Sequence, residues 1–348
     1  MNGRNASPQP SPHGRGLGWT QLSALVVGFG SIGKRHARVL KEIGLADVRV
    51  CDPMPERQAS ARDEFGATRV FESLEAGLAS GPDTVVLCSP TALHVHQAAA
   101  SISAGCDVLT EKPLSNSMDG IDELRALARQ RQRLVMVAHC FRFHEGLLRA
   151  KSMLDAGRIG RVLSVRCMFG EYIPEVMPDY RDRYIFHYSG AYELMHDIDL
   201  ALWFAGRNPV RVFGVDGTFG DSGMQSPDLA EMIIEFEDRC VANVHLDFFQ
   251  RARHRQTEVY GTEGTIRVEF ARWDRCTVSV YDAATREWTH DELATDRDDM
   301  FRAEDEAFLV AAANRSPVPV DIDAGELAVR VMLAAQESSR TGRAVPLR

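Results

Sequence analysis

From about residue 22 the chain alternates short apolar runs with amphipathic stretches. The runs fall at 24–27, 48–51, 68–71, 84–88, 107–110 and 134–138, and each is rich in Val or Leu without alternating. Short continuous runs of this kind suit strands covered on both faces of a parallel sheet. Between them the spacing turns helical. Ile32, His36, Leu40 and Ile43 share one face with Gly44 as a stop, and Ile121, Leu124 and Leu127 share another. The alternation predicts a doubly wound α/β domain over 21–140.

Past residue 140 the pattern changes. A helix is predicted over 145–156 before Gly157, a strand over 161–169, and an irregular stretch over 170–189 that carries Pro174, Pro178 and several aromatic residues. A helix over 191–205 stops at Gly206. Period-two alternation follows: Ala242, Val244, Leu246 and Phe248 face one way, and Asn243, His245 and Asp247 the other. Ile266, Val268 and Phe270 alternate with Thr265, Arg267 and Glu269 in the same manner, with hairpin turns at 237–239 and 262–264. Helices over 298–314 and 324–339 end the chain. Residues 141–348 therefore read as a second α/β domain built on a large, mainly antiparallel open sheet, one face of which is left for another subunit. Residues 1–20 have Arg, Pro, Gly and Ser but no apolar core, and read as a flexible tail rather than a signal peptide.

Composition narrows the function. The chain has 348 residues, 45% hydrophobic and 26% charged, which excludes a disordered chain, a collagen and a coiled-coil rod. Lys and Arg number 40 against 49 Asp and Glu, a net charge of −9, so nucleic acid and anionic membrane are poor partners. No apolar stretch is long enough to span a bilayer. The seven cysteines are widely spaced with no CxxC pair, the usage of buried thiols in a reducing compartment; the cytoplasm is the expected location.

The first run leads into Gly28-Phe29-Gly30-Ser31-Ile32-Gly33, which opens the first helix. Glycines there permit a tight turn, close approach of a pyrophosphate and close helix–strand packing, while the helix start offers N–H groups to phosphate. Asp52 follows the second run, nineteen residues after Gly33. A carboxylate at that place accepts from ribose hydroxyls and repels a 2′-phosphate, so NAD is expected and NADP is disfavoured. Arg57 nearby is placed to soften that preference.

Two further motifs carry a resemblance. Cys88-Ser89-Pro90-Thr91-Ala92-Leu93-His94 closes the fourth run and Glu111-Lys112-Pro113 the fifth; with the glycine turn they resemble the glucose–fructose oxidoreductase/inositol dehydrogenase (Gfo/Idh/MocA) family. Gly190-Ala191-Tyr192-Glu193-Leu194-Met195-His196-Asp197-Ile198-Asp199 is similar to the catalytic helix of that family's second domain. The resemblance runs from about residue 23 to the C-terminus. It implies a Rossmann-type domain joined to an α/β domain whose sheet forms dimers or tetramers, and hydride transfer at a hydroxyl or keto group of sugars, cyclitols or nucleotide sugars. Lys112 matches the lysine that touches nicotinamide and substrate, and His196 the acid/base histidine. Ser89, Pro90, Thr91, His94 and Glu111 fall where the family lines the cofactor. The family usually has Asp three or four positions before the histidine; here Glu193 stands at three and Tyr192 at four. Ser189-Gly190-Ala191 stands where Gly-Gly-Gly is common.

The residue types agree with that chemistry. A histidine, with an ordinary pKa of about 6.5, suits removal of a hydroxyl proton, and a carboxylate such as Glu193 can orient it. Lys112 can stabilise a developing alkoxide. Arg142, just past the sixth run, is a candidate for substrate binding, and Arg181 and Arg183 can meet an anion or remain solvated. His94, His96, His139, Cys140 and His144 lack the spacing of a tetrahedral metal site, so no metal is expected. The reading is an NAD-dependent oxidoreductase of a sugar-like substrate. The alternatives are an enzyme with tightly bound, internally recycled NAD, and a non-catalytic dinucleotide sensor. Loss of Lys112 or His196 would mark the sensor, and both are present.

Overall fold

The computed structural model describes residues 18–347. Six parallel strands, β1 (Ser23–Val27), β2 (Asp47–Cys51), β3 (Val70–Phe71), β4 (Thr84–Leu87), β5 (Asp107–Glu111) and β6 (Val135–Ala138), form one sheet in the order β3-β2-β1-β4-β5-β6. Every residue of β1, β4, β5 and β6 is buried, which is why their sequences do not alternate. Helices α1 (Ser31–Glu42), α2 (Pro55–Phe65), α3 (Leu74–Ala79), α4 (His94–Ser103) and α5 (Ile121–Arg131) make the crossovers. The strand order reverses between β1 and β4, so the loops leaving their carboxyl ends open a crevice.

Two expectations need correction here. The strand expected over 68–71 shrinks to Val70–Phe71, preceded by a 3₁₀ turn at Ala67–Arg69. As an edge strand, β3 pairs only with Val50 and Cys51, and nothing holds the residues before it extended. The expected tail ends sooner than residue 20: Gly18–Gln21 form a 3₁₀ turn with Trp19 buried, closed by Leu22 N–H donating to the Trp19 carbonyl at 2.9 Å. The rest of that segment, residues 1–17, lies outside the described residues.

The remaining elements are α6 (Glu145–Asp155), β7 (Val162–Tyr172), α7 (Ile173–Val176), α8 (His196–Ala205), β8 (Pro209–Gly217), β9 (Leu229–Phe236), β10 (Cys240–Asp247), β11 (Phe249–Gly261), β12 (Gly264–Glu269), β13 (Arg275–Asp282), β14 (Glu287–Ala294), α9 (Arg297–Asn314), α10 (Ile322–Thr341) and β15 (Val345–Pro346). The nine strands form a sheet ordered β14-β13-β12-β11-β7-β10-β9-β8-β15. It is antiparallel except where β7 runs parallel to β10. The turn at Glu237–Arg239 reverses the chain from β9 to β10, with Asp238 and Arg239 both at φ 58°. Ala242, Val244, Leu246 and Phe248 are buried, as are Ile266, Val268 and Phe270. The α8 helix packs on β7 and β10, and α6 on β12 and β13. Asp247, expected to face outward, is buried instead, because its carboxylate accepts the N–H groups of Phe249 at 3.0 Å and Gln250 at 2.7 Å as the chain turns into β11.

The chain divides into two compact units. One comprises residues up to Cys140 with Asp298–Glu326; the other comprises Phe141–Arg297 and the chain from Leu327 on. This differs from a single cut at residue 140, because the helix over 298–314 belongs with the first sheet. His36 to Asp305 at 2.8 Å, the Arg38–Asp298 ion pair, and Val137 N–H to the Val320 carbonyl at 2.9 Å tie it there. No helix among the described residues is long and apolar enough to cross a membrane.

On the nine-stranded sheet the His245 ring lies between Asp247, at 2.8 Å, and Glu231. The hydrogen bonds to Asp247 and Glu231 push its pKa up to about 9, against burial. A raised histidine stabilises the fold fully below its unfolded value of about 6.5 and loses that contribution as pH climbs through the folded value. His245→Gln is therefore expected to be less stable than wild type at pH 6, with the gap closing by about pH 9.5. Urea midpoints of both proteins across that range check this; a gap independent of pH refutes the charged pairing.

Candidate functional site

In the first unit the glycine turn is shaped by contacts that exclude side chains. Gly28 sits at φ +91°, where a Cβ would lie 2.7 Å from the Cys88 carbonyl oxygen; a Cβ on Gly33 would lie 1.8 Å from the Gly28 oxygen. So the turn meets the loop after β4, and α1 seats directly on the turn. The other side is open: beside Gly30 the nearest atom to a built Cβ is the Arg57 guanidinium at 3.9 Å. No side chain caps α1 at Gly30, which leaves the helix start presenting N–H groups from Ser31, Ile32 and Gly33.

Asp52 closes the back of the turn. It is 1% exposed; Oδ2 accepts the Phe29 N–H at 2.6 Å and Oδ1 the Met54 N–H at 2.9 Å. Arg57 reaches Oδ2 at 3.3 Å. A carboxylate has about four acceptor positions, and Asp52 uses three of them to brace the turn and meet Arg57. An open turn, an uncapped helix start and this carboxylate fit a dinucleotide.

The loops after β4 and β5 complete this half. Ser89 Oγ donates to Gln97 at 2.5 Å, and Pro90 leads into a 3₁₀ turn that begins at Thr91. The His94 ring is buried between the Ser89 carbonyl, at 2.9 Å, and the Pro113 carbonyl, at 2.8 Å. Burial holds its pKa below the ordinary value, and the neutral ring has one N–H to donate to one of these two carbonyls. Glu111 ends β5. Its Oε2 accepts the Lys112 N–H at 3.0 Å, and its Oε1 faces His36 Nε2 at 3.2 Å. The Lys112–Pro113 peptide is cis.

In the second unit the helix expected over 191–205 is broken. Gly190–Leu194 form a 3₁₀ turn, held by Ala191 N–H donating to the Pro227 carbonyl at 2.8 Å, and the α-helix starts only at His196. Glu193 and His196 are both half-buried, one in the turn and one at the helix start. Tyr192, the other residue weighed as a partner for His196, donates its hydroxyl to Asp216 at 2.6 Å, and burial with that bond raises its pKa far above the ordinary range.

Two ion pairs hold the first turn of α8. Asp197, fully buried, pairs with Arg255 at 2.5 Å. The Arg255 guanidinium lies over Phe141, Phe169 and Phe270, 3.7, 4.4 and 5.2 Å from the ring centroids. Phe141 in turn meets the His196 ring edge-on at 4.9 Å. Asp199 takes the Arg142 guanidinium in a fork, at 2.9 and 2.6 Å. The fork expected to meet a substrate is thus turned onto the catalytic-helix candidate itself, as a brace. Buried His144 stacks against Phe141, and burial with the nearby Arg255 charge lowers its pKa to about 4. Arg181 donates to Tyr180 at 3.1 Å and Arg183 pairs with Asp179. A cavity of about 310 Å³ lies between Tyr172, Pro178, Tyr180 and Arg181, of the stretch read as irregular, and Ser222. Among the described residues the one grouping of metal-type ligand atoms is buried His36, Glu304 and Asp305, none of them among the histidines and cysteine weighed as ligands.

Sequence reading missed Arg255, Phe141, Asp197 and Asp199 as supports of His196. Two acids in the first turn of a helix were a signal, since both face buried surroundings, but their arginine partners are 58 and 57 residues away.

The sequence model described as "Oxidoreductase family, NAD-binding Rossmann fold" (GFO_IDH_MocA) matches residues 22–139, and that of the "GFO/IDH/MocA C-terminal domain" matches 147–267. Inositol 2-dehydrogenase of Rhizobium meliloti (strain 1021) is 25% identical over 336 residues, 92% of this chain and 98% of that protein. The scyllo-inositol 2-dehydrogenase (NAD(+)) of Bacillus subtilis (strain 168) is 26% identical over 337 residues, 94% and 96% of the two chains. The crystal structure of scyllo-inositol dehydrogenase from Lactobacillus casei, with bound NAD(H) and scyllo-inositol, superposes with a TM-score of 0.81 at 21% identity and covers 93% of this chain and 98% of that one, a likeness of fold.

Asp197→Asn leaves the buried Arg255 charge without its counter-ion and is expected to destabilise the protein by about 3–5 kcal/mol. Replacing both residues with apolar ones of similar volume is expected to lose much less. Equilibrium urea unfolding of the single and double variants measures both; a single variant as stable as wild type would contradict the pairing.

Proposed function

The chain belongs to the Gfo/Idh/MocA family of NAD-binding oxidoreductases, and on that premise we propose that it oxidises a secondary hydroxyl of a cyclitol or related sugar-like polyol. The observation that carries the reading is Lys112, anchored through Glu111 at the carboxyl end of β5, in the same unit as a cradle that fits a dinucleotide. The full-length likeness to inositol dehydrogenases supports the substrate class. When bound, NAD supplies the hydride acceptor.

In this reading the Gly28–Gly33 turn and the α1 start hold the pyrophosphate, and Asp52 accepts from the ribose hydroxyls. Lys112 lends positive charge to the oxygen that becomes an alkoxide. His196 takes the hydroxyl proton at a ring nitrogen, with Glu193 orienting the ring. Phe141 and the Arg255–Asp197 pair keep that ring in place. The loops around the Tyr172–Ser222 cavity select the substrate. A second copy of the chain covers the outward face of the nine-stranded sheet, where Met168, Phe213, Val215, Ile233 and Val241 are 39–50% exposed. The cytoplasm suits seven cysteines that form no disulfide, with burial pushing Cys51 and Cys88 up to about 12.

NAD is expected to bind more tightly than NADP, because a 2′-phosphate would face Asp52. Titration of each cofactor tests it, and equal affinity abolished by Arg57→Ala would transfer the choice to Arg57. NAD that dilutes out freely also sets aside internal recycling.

Lys112→Met is expected to slow NAD reduction by about a hundredfold, and His196→Ala by about 10²–10⁴-fold, both with wild-type melting. The assay is a panel of myo-inositol, scyllo-inositol, aldoses and nucleotide sugars. Absence of turnover across the panel removes the cyclitol reading, and full activity in either variant removes that residue from the mechanism.

A further inference from the structure

The residue that links α1 to β5 was read from sequence only as a position on an apolar helix face. His36 is 0% exposed. Its Nδ1 meets Asp305 Oδ1 at 2.8 Å and its Nε2 meets Glu111 Oε1 at 3.2 Å, so each ring nitrogen faces a carboxylate. Glu111 uses its second oxygen on the Lys112 N–H. Asp305 comes from α9, beside Glu304, and both are buried. The four residues form a chain of contacts inside one unit, Asp305 to His36 to Glu111 to the backbone of Lys112.

Burial alone would push the His36 ring toward neutrality, but the Asp305 charge and the bonds to Asp305 and Glu111 hold its pKa well above the ordinary value. Burial would likewise raise Glu111, and the His36 bond and charge bring it below the ordinary range instead. A protonated ring donates at both nitrogens, and an ionised carboxylate accepts at both oxygens; charge-assisted bonds of this kind are the strong ones. With both nitrogens donating to carboxylates, the His36 ring is held between Asp305 and Glu111.

We propose that His36 is a positioning residue for the reaction: held by Asp305, it fixes the Glu111 carboxylate, which in turn sets the backbone from which Lys112 extends. The proposal rests on Lys112 as the reacting lysine. Asp305 reaches the ring from α9, more than 150 residues further along the chain than β6.

Two amides separate this role from simple packing. Asn at residue 36 reaches where Nδ1 stands and so keeps Asp305 while losing Glu111; Gln reaches where Nε2 stands and keeps Glu111. The measurement is amide hydrogen exchange at Lys112 in the full-length protein with NAD, together with single-turnover hydride transfer from myo-inositol and the NAD dissociation constant. His36→Asn is expected to speed Lys112 exchange and slow hydride transfer, each by about tenfold, with NAD affinity changed by less than about twofold. His36→Gln is expected to restore both rates to within about threefold of wild type. Equal losses in the two variants, or unchanged Lys112 exchange in His36→Asn, overturn the proposal. If neither variant folds, Asp305→Ala keeps the ring and removes its anchor; faster exchange at Lys112 with the rest of β5 unchanged supports the relay, and no change refutes it. The exchange arm needs no substrate, so it decides the relay even if myo-inositol is inert or Lys112→Met proves active.

Discussion

A charge taken out of water must be met by an opposite charge or by a row of donors, and both units are organised around that constraint. In the first, Asp52 is met by two backbone N–H groups and Arg57, and Glu111 by His36 and the Lys112 N–H. In the second, Asp197 and Asp199 are met by Arg255 and Arg142. Each buried acid fixes a backbone segment with a part in the proposed reaction: the glycine turn, the loop after β5, the start of α8. The apolar core supplies the stability, while these pairs hold those segments.

The two halves use different means to the same end. The cradle in the first unit is built from absences, since Gly28 and Gly33 leave no room for a side chain. The support of His196 in the second is built from bulk, three aromatic rings around one guanidinium. A phosphate needs close backbone approach, so small residues serve it. In the proposed reaction the His196 imidazole needs a fixed angle, and the edge-on Phe141 ring serves that.

What was legible in the sequence was what is local. Five of the six apolar runs, the glycine turn, the position of Asp52 after β2, and the hairpin turns at Glu237–Arg239 and after Gly261 all announce themselves within a few residues. The helix before His196 was read as continuous because 191–205 has no Pro and no interior Gly; the break at Leu194 comes from Ala191 bonding to Pro227. Arg142 was read as a ligand for substrate because it follows the sixth run, where a cleft was expected, yet Asp199 waits 57 residues on. His36 was counted as an apolar-face residue because it occupies a helical period among Ile and Leu, and its acids arrive from β5 and α9. Pairings between distant segments leave no periodic trace, so composition and spacing could not show them.

The assignment of Asp298–Glu326 to the first unit bears on how the chain is made. Domains of most proteins fold in the order they leave the ribosome, at roughly 5–20 residues per second. Here the parallel sheet is synthesised early, but α9 emerges roughly 10–40 s later at that pace. Until then His36 has no Asp305, and α1 and β6 expose the surface that the later segment covers. The nucleotide half of this protein is begun before the second unit is made and finished only after α9 has emerged, a dependence that ties its maturation to synthesis of the segment between.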